Sequence, residues 1–218
     1  MLDRPVVFDL DGTLVDSRRD IALAANHART RAGLEALPED VVAGFVGDGA
    51  RYLIARTLEL EDGDPRIEAH LAVFLDYYEA HAVDHTTLMP GAVEVMNVLA
   101  SSRPLALCTN KSRRTTLPVL DGLGITHYFQ AIVAGGDTKR NKPSGEPLLL
   151  VAELLGVAPA SLVMVGDGPQ DILSARAVGA LGVGLRGGIL PVERLQAASP
   201  DVLLDDLSAL PAFLATLA

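Results

Sequence analysis

Apolar and polar positions alternate in two different ways along this chain. Pro5 to Leu10 is a short apolar run ended by Asp11-Gly12, the pattern of a buried strand followed by a turn. Residues 17–85 then show no convincing strand. Ser17 followed by Asp20 has the form of a capping box, and Ile21, Ala25, Ala28 and Ala32 make a helical stripe that ends at Gly33. A second helix is predicted from about Gly49 to Leu60, with Leu53, Ile54 and Leu58 on one face. Asp64-Pro65 opens a third, in which Ile67, Leu71, Phe74 and Tyr78 recur every three or four residues.

From Pro90 onward the pattern changes to strands alternating with helices. Strands are predicted at Leu105–Cys108, Ala131–Ala134, Leu162–Val165, Leu181–Leu185 and Val202–Leu204, and helices near 91–100, 112–121, 146–155 and 169–178. Continuous apolar strands separated by helices predict a parallel sheet covered on both faces. The expected fold is therefore α/β: a doubly wound, Rossmann-like core from residues 1–16 and 86–218, with an all-helical cap, residues 17–85, inserted after the first strand. Gly12 and the stretch Thr86-Thr87 to Met89-Pro90-Gly91 lie where such a cap would hinge.

Composition narrows the function classes. The chain has 218 residues, enough for one large domain or two modest ones, and 49% of them are hydrophobic. Its 18 basic and 28 acidic side chains leave a formal charge of −10, which argues against a general nucleic-acid or membrane-surface binder. A locally basic pocket for an anionic small molecule is still compatible with that charge. One cysteine, Cys108, excludes an internal disulfide framework and a four-cysteine zinc site. No apolar run approaches the roughly 20 residues that span a bilayer. Met1 to Pro5 is not followed by a signal-peptide core, so a cytoplasmic protein is expected, as monomer or homodimer.

Ligands of doubly wound sheets bind beyond the C-terminal ends of the strands. Asp9, Asp11, Gly12 and Thr13 follow the first strand; Thr109, Asn110 and Lys111 the second; Lys142-Pro143 the third; Gly166, Asp167 and Asp171 the fourth. Several carboxylates would thus meet a lysine, a hydroxyl and an amide at one edge. Unpaired carboxylates so close repel one another, and Mg²⁺, which takes carboxylate, phosphate and water oxygens, resolves this. The combination suits phosphoryl transfer.

In order and spacing these segments resemble the haloacid dehalogenase superfamily of phosphatases. Asp9-Leu10-Asp11-Gly12-Thr13-Leu14-Val15-Asp16-Ser17 is similar to its first motif, Thr109-Asn110 to its second, Lys142-Pro143 to its third, and Gly166-Asp167-Gly168-Pro169-Gln170-Asp171 to its fourth, with Gly168 where serine is common. The place of the cap is that of the C1 type. Thr109-Asn110-Lys111 and Phe45-Val46-Gly47-Asp48-Gly49-Ala50 look most like the phosphoglycolate phosphatases within it.

The resemblance implies a nucleophile at Asp9, forming an aspartyl-phosphate, and a general acid and base at Asp11. It implies Mg²⁺ held by the carboxylates of Asp9 and Asp167 and the backbone carbonyl of Asp11, with Asp171 ordering the metal's waters or ligating directly. Thr109 and Asn110 would donate to phosphoryl oxygens, and Lys142 would balance charge. The implied reaction is hydrolysis of a small phosphorylated metabolite, 2-phosphoglycolate above others. Arg51, just past Gly47-Asp48-Gly49, is the candidate for meeting the substrate's carboxylate.

Competing readings are a sugar-phosphate phosphatase or pyrophosphatase, a β-phosphoglucomutase-type mutase, an inactive phosphate-binding protein and a nucleotide-binding oxidoreductase. The last lacks a glycine fingerprint after the first strand. A dehalogenase would lack the acid at position 11, and a sensor has no need of a nucleophile with its acid. Lys139 competes with Lys142 but has no proline after it. Cys108 lies inside an apolar run and reads as core. His81 and His85 have zinc-like spacing without a third ligand, Gly135-Gly136 and Gly187-Gly188 fit no nucleotide loop, and Asp62-Gly63-Asp64 reads as a loop and cap. Gly47-Asp48-Gly49 is either an interhelical turn or a substrate-facing loop.

Overall fold

The computed structural model describes residues 4–217; Met1 to Asp3, which the leader reading includes, and Ala218 lie outside them. The chain opens with β1 (Val6–Phe8) and β2 (Val15–Asp16), followed by α1 (Arg18–Arg31), α2 (Glu39–Ala43), α3 (Ala50–Thr57) and α4 (Arg66–Ala80). It returns through β3 (Thr87–Leu88) and α5 (Ala92–Ala100) to β4 (Leu105–Ser112), α6 (Arg113–Gly122), β5 (Ala131–Gly135) and α7 (Glu146–Leu155). Then come β6 (Val163–Gly166), α8 (Pro169–Ala177), β7 (Leu181–Leu185), α9 (Val192–Ala197), β8 (Val202–Leu204) and α10 (Leu210–Ala215).

Six strands form one parallel sheet in the order β5-β4-β1-β6-β7-β8. The pleat explains why the strands read as unbroken apolar runs. Val6, Phe8, Leu105, Leu107, Val163 and Val165 enter one core cluster, whereas Val7, Ala106, Cys108 and Met164 face the other, with Leu148 and Val151 of α7. The second cluster accounts for Cys108, whose buried thiol is pushed up to about 12 by loss of solvent.

β1 lies where the strand order reverses: β4 and β5 are laid down on one side of it, and β6, β7 and β8 on the other. At that switch point the strand ends splay and leave a crevice. Asp9 N–H still bonds Val165 O at 2.9 Å, so Asp9 leaves the sheet at the crevice floor.

The helices between β2 and β3 pack on one another, α1 against α2, α3 and α4. Ile21, Ala25, Ala28, Leu53, Ile54, Ile67, Phe74 and Tyr78 are all buried, as the stripes predict, whereas Ala32 is exposed. Two-residue strands carry no readable period, and the β2–β3 ribbon is absent from the sequence reading for that reason. It pairs Val15 with Leu88 and Asp16 with Thr87, so the chain leaves for the helices and returns from them through one antiparallel contact. The short helices α2, α9 and α10 also escape a periodicity argument.

The predicted capping box is not formed. Ser17 makes no side-chain cap; its hydroxyl donates to Asp11 Oδ1 at 2.6 Å. Asp20 instead accepts from the backbone N–H groups of His85 and Thr86 and from Thr86 Oγ1, at 2.7 to 3.1 Å. Among the described residues no helix is long and apolar enough to cross a membrane.

Candidate active site

Three adjacent strand ends, three loops and the helices between β2 and β3 close around one cavity of about 60 Å³. Asp9, Asp11, Thr109, Asn110, Lys111, Lys142, Asp167 and Asp171 line its polar side; Ile21, Val46, Leu53 and Phe74 from the segment between β2 and β3, with Ile189 and Leu190, line its apolar side.

Lys142 is the hub of the polar side. Its Nζ lies 2.6 Å from Asp171 Oδ1, 2.6 Å from Cys108 O and 3.0 Å from Asp9 Oδ1. Burial alone would lower its pKa, but Asp171 and Asp9 outweigh that and hold it above the usual lysine range. The approach to Asp9 is an ion pair without hydrogen-bond alignment, so Asp9 Oδ1 is buried with no donor of its own.

One carboxylate oxygen from each of Asp9, Asp167 and Asp171 falls within 4.8 Å of the others. Burial, then the charges of Asp9 and Asp171, push Asp167 up to about 7. Asp171 is also raised by burial, against the pull of Lys142. Asp167 is fixed by Thr13 Oγ1 at 3.1 Å and Ile189 N at 2.9 Å, and Asp171 by the N–H of Gly168 at 3.1 Å, at the start of α8. Gly12, at φ +83°, has to be glycine, since a Cβ there would stand 2.3 Å from Asp167 Oδ2.

Residues 6–184 match the haloacid dehalogenase-like hydrolase family, a span that holds every one of these side chains except Ile189 and Leu190. The chain belongs to that family. It is 38% identical over 199 residues to a phosphoglycolate phosphatase of Chromobacterium violaceum, covering 89% of this chain and 90% of that one. It is 34% identical to the phosphoglycolate phosphatase of Escherichia coli K12, covering 95% and 90%. A crystal structure described as a predicted phosphoglycolate phosphatase from Haemophilus somnus superposes with a TM-score of 0.86 at 29% identity, covering 97% of each chain.

Phosphatases of the haloacid dehalogenase type depend on a metal, and this member's donor set fits a hard divalent cation. Four carboxylates share the cavity with only two ammonium groups, all donors are oxygen, and Asp9 Oδ1 lacks a hydrogen-bond donor. The carboxylate of Asp11 stands apart from that cluster. It bonds Ser17 Oγ at 2.6 Å and Lys111 Nζ at 3.0 Å.

The structure departs from the sequence reading at two residues. The Asn110 amide is fully occupied: Oδ1 accepts from Lys142 N at 2.9 Å, and Nδ2 donates to Lys142 O and Gly47 O, both at 2.8 Å. No amide proton is left for a phosphoryl oxygen, so the side chain ties the Lys142 loop to the Gly47 loop. Arg51 does not line the cavity. Ala50 and Leu53 do, and one helical step of about 100° turns Arg51 away from them. Its side chain is 42% exposed and pairs with Glu68 at 3.4 Å.

Several contacts in and beside the cavity escape the sequence reading. Tyr78 ends an ordinary apolar stripe, yet its hydroxyl accepts from Lys111 Nζ at 2.5 Å. Gln170 Nε2 donates to Asp48 Oδ1 at 2.7 Å, joining the fourth motif to the Gly47-Asp48-Gly49 loop. Gly188 fits against Asp167, where a Cβ would stand 2.1 Å from Oδ2. Lys111 is placed at the site by its position after the second strand, directly following Thr109-Asn110, but the sequence gives it no role there.

Proposed function

We propose that this protein is a Mg²⁺-dependent phosphomonoesterase that acts through an aspartyl-phosphate on Asp9, with 2-phosphoglycolate as substrate. The observation that carries the reading is the cluster of Asp9, Asp167 and Asp171 around Lys142, with Asp9 Oδ1 free of hydrogen bonds at the cavity floor. The cavity of about 60 Å³ holds a handful of waters at ~10–15 Å³ each, which favours a small substrate. The names of the relatives point the same way.

Asp9 supplies the oxygen that bonds to phosphorus as the ester P–O bond breaks. Lys142, paired with Asp9, orients that carboxylate and offsets charge gathering on the phosphoryl oxygens. Thr109, inside β4 where the pairing with β5 shifts register between Cys108 and Ser112, lines the same cavity. Asp11 gives its proton to the departing alkoxide and later takes one from the water that cleaves the acyl phosphate. Mg²⁺ held by Asp9, Asp167 and Asp171 would neutralise the excess carboxylate charge and draw phosphoryl oxygens to the site.

Residues 17–85 act as the cap in this reading, closing over the core formed by 1–16 and 86–218 to exclude water. In this reading the protein works in the cytoplasm on a small phosphorylated metabolite. Phosphate release from a panel of phosphomonoesters, with and without Mg²⁺, tests the proposal. Fastest release from 2-phosphoglycolate supports it, and a preference of tenfold or more for a sugar phosphate or pyrophosphate, about 1.4 kcal/mol, refutes the substrate.

A further inference from the structure

Two buried ammonium groups line the cavity, and the chemistry above employs one of them. The other is Lys111, whose side chain is 4% exposed. Its Nζ lies 3.0 and 3.3 Å from the two oxygens of Asp11, 2.5 Å from Tyr78 Oη and 4.3 Å from the centroid of the Tyr78 ring. A buried ammonium requires an anion, and Asp11 is the one it has. Asp11 is also the carboxyl that has to serve the leaving oxygen. A carboxylate held by both oxygens on Lys111 cannot do so, and the two demands are reconciled if another anion takes over Lys111.

We propose that Lys111 and Tyr78 form a receptor for a carboxylate of the substrate, and that a carboxylate-bearing phosphomonoester frees Asp11 by replacing it on Lys111. The inference rests on the phosphatase reading above. The donors suit a carboxylate: the ammonium supplies further protons, and Tyr78, whose oxygen already accepts from Lys111, has its phenolic proton for a second acceptor. The surroundings strengthen the contact, because Ile21, Leu53 and Phe74 line the same cavity and keep the local dielectric low. Lys111 belongs to β4 and Tyr78 to α4, so the receptor is assembled only when the two parts of the molecule meet.

The exchange swaps one carboxylate for another and makes or breaks no bond to carbon or phosphorus; Asp11, once off the ammonium, takes up from solvent the proton that it then gives to the leaving oxygen. Its consequence is selectivity. A small ester whose carboxylate sits on the carbon next to the ester oxygen releases Asp11; a neutral ester of the same length leaves it clamped. The receptor therefore does the work assigned to Arg51 in the sequence reading.

The test compares kcat/KM for 2-phosphoglycolate and for 2-hydroxyethyl phosphate, which has the same length and no carboxylate. The wild-type enzyme should favour phosphoglycolate by about 30-fold or more, in the range of hydrogen bonds to a charged group. In Lys111→Met the ratio should fall to within about threefold of unity, and in Tyr78→Phe, which deletes a single hydroxyl, by about fivefold. Arg51→Ala should keep the wild-type ratio. Should Lys111→Met not fold, Tyr78→Phe decides. A wild-type ratio retained in either folded variant overturns the receptor. A wild-type enzyme indifferent to the carboxylate overturns it together with the phosphoglycolate assignment, and absence of phosphate release from both esters overturns the phosphatase reading itself.

Discussion

Lys142 Nζ lies 2.6 Å from Asp171 Oδ1, and the two side chains are each 2% exposed. The same ammonium holds Asp9 at 3.0 Å, so one positive charge stands among three neighbouring carboxylates. Lys142→Met would keep most of the volume and leave those carboxylates facing one another. Breaking a buried pair from one side costs about 3–5 kcal/mol, and losing a preorganised charge at the phosphoryl group costs about 10²–10³ in kcat. Urea unfolding without metal and steady-state phosphate release should show both losses. A variant as stable as the parent would mean that Lys142 is not the charge that holds the cluster together.

Asp167 sets a pH dependence in the metal-free protein. Its carboxyl titrates near 7 in the fold against an ordinary 3.8, because burial and then Asp9 and Asp171 disfavour its charge. The folded chain thus binds the proton more tightly than the unfolded chain. Its contribution to stability is full below about pH 4 and is lost as pH rises through about 7, by a few kcal/mol at most. In EDTA, Tm should fall over that window. Asp167→Asn should flatten the fall, and Mg²⁺ should raise Tm most at the alkaline end while restoring activity. A Tm that rises steadily from pH 4 to 7 in both chains would contradict this.

The legible parts of this molecule are those in which a side chain's role depends on its neighbours in sequence. Asp9 and Asp11 follow a strand, Asp167 follows another, and the alternation of Val6, Val7 and Phe8 between two faces follows from the pleat. The misread parts depend on partners outside the element in which they were read. Ser17 and Asp20 have the local spacing of a cap, but the Ser17 hydroxyl turns back to Asp11 before β2, and Asp20 accepts from Thr86 where the chain returns at β3. Arg51 follows the right loop and faces the wrong way, because one step round α3 decides its direction. Tyr78 and Lys111 are 33 residues apart, and only the packing of α4 over β4 joins them.

The bonds of Asp20 lead to a stability prediction. It is buried on α1 and receives the N–H groups of His85 and Thr86 and the Thr86 hydroxyl. Asp20→Ala would orphan these donors where the chain re-enters the sheet. Unsatisfied buried donors cost about 1–3 kcal/mol each, so the two Thr86 donors alone imply a loss of roughly 2–6 kcal/mol in equilibrium unfolding. Asp20→Asn, which retains an acceptor oxygen, should lose less. Equal losses for the two substitutions would show that charge, not acceptance, is what Asp20 supplies.

The loop Gly47-Asp48-Gly49 is drawn onto the strand ends by two bonds, Asn110 Nδ2 to Gly47 O at 2.8 Å and Gln170 Nε2 to Asp48 Oδ1 at 2.7 Å. The approach is close: at Gly49, φ +97°, a Cβ would stand 3.0 Å from Asn141 Nδ2. Gln170→Ala removes one bond without stranding a charge, since Asp48 stays paired with Arg56 at 2.8 Å. Stability should change by less than about 1 kcal/mol, as for a partly exposed bond. Closure over the cavity should weaken by the worth of that bond, about 0.5–1.5 kcal/mol, or about 2–10-fold in kcat/KM. Asp48→Ala should give a similar kinetic loss, because it deletes the other half of the same contact. The double variant should be no worse than either single one, the signature of a shared interaction. Additive losses would place Gln170 and Asp48 in separate roles, and unchanged kinetics in all three would mean that the loop's position does not limit turnover.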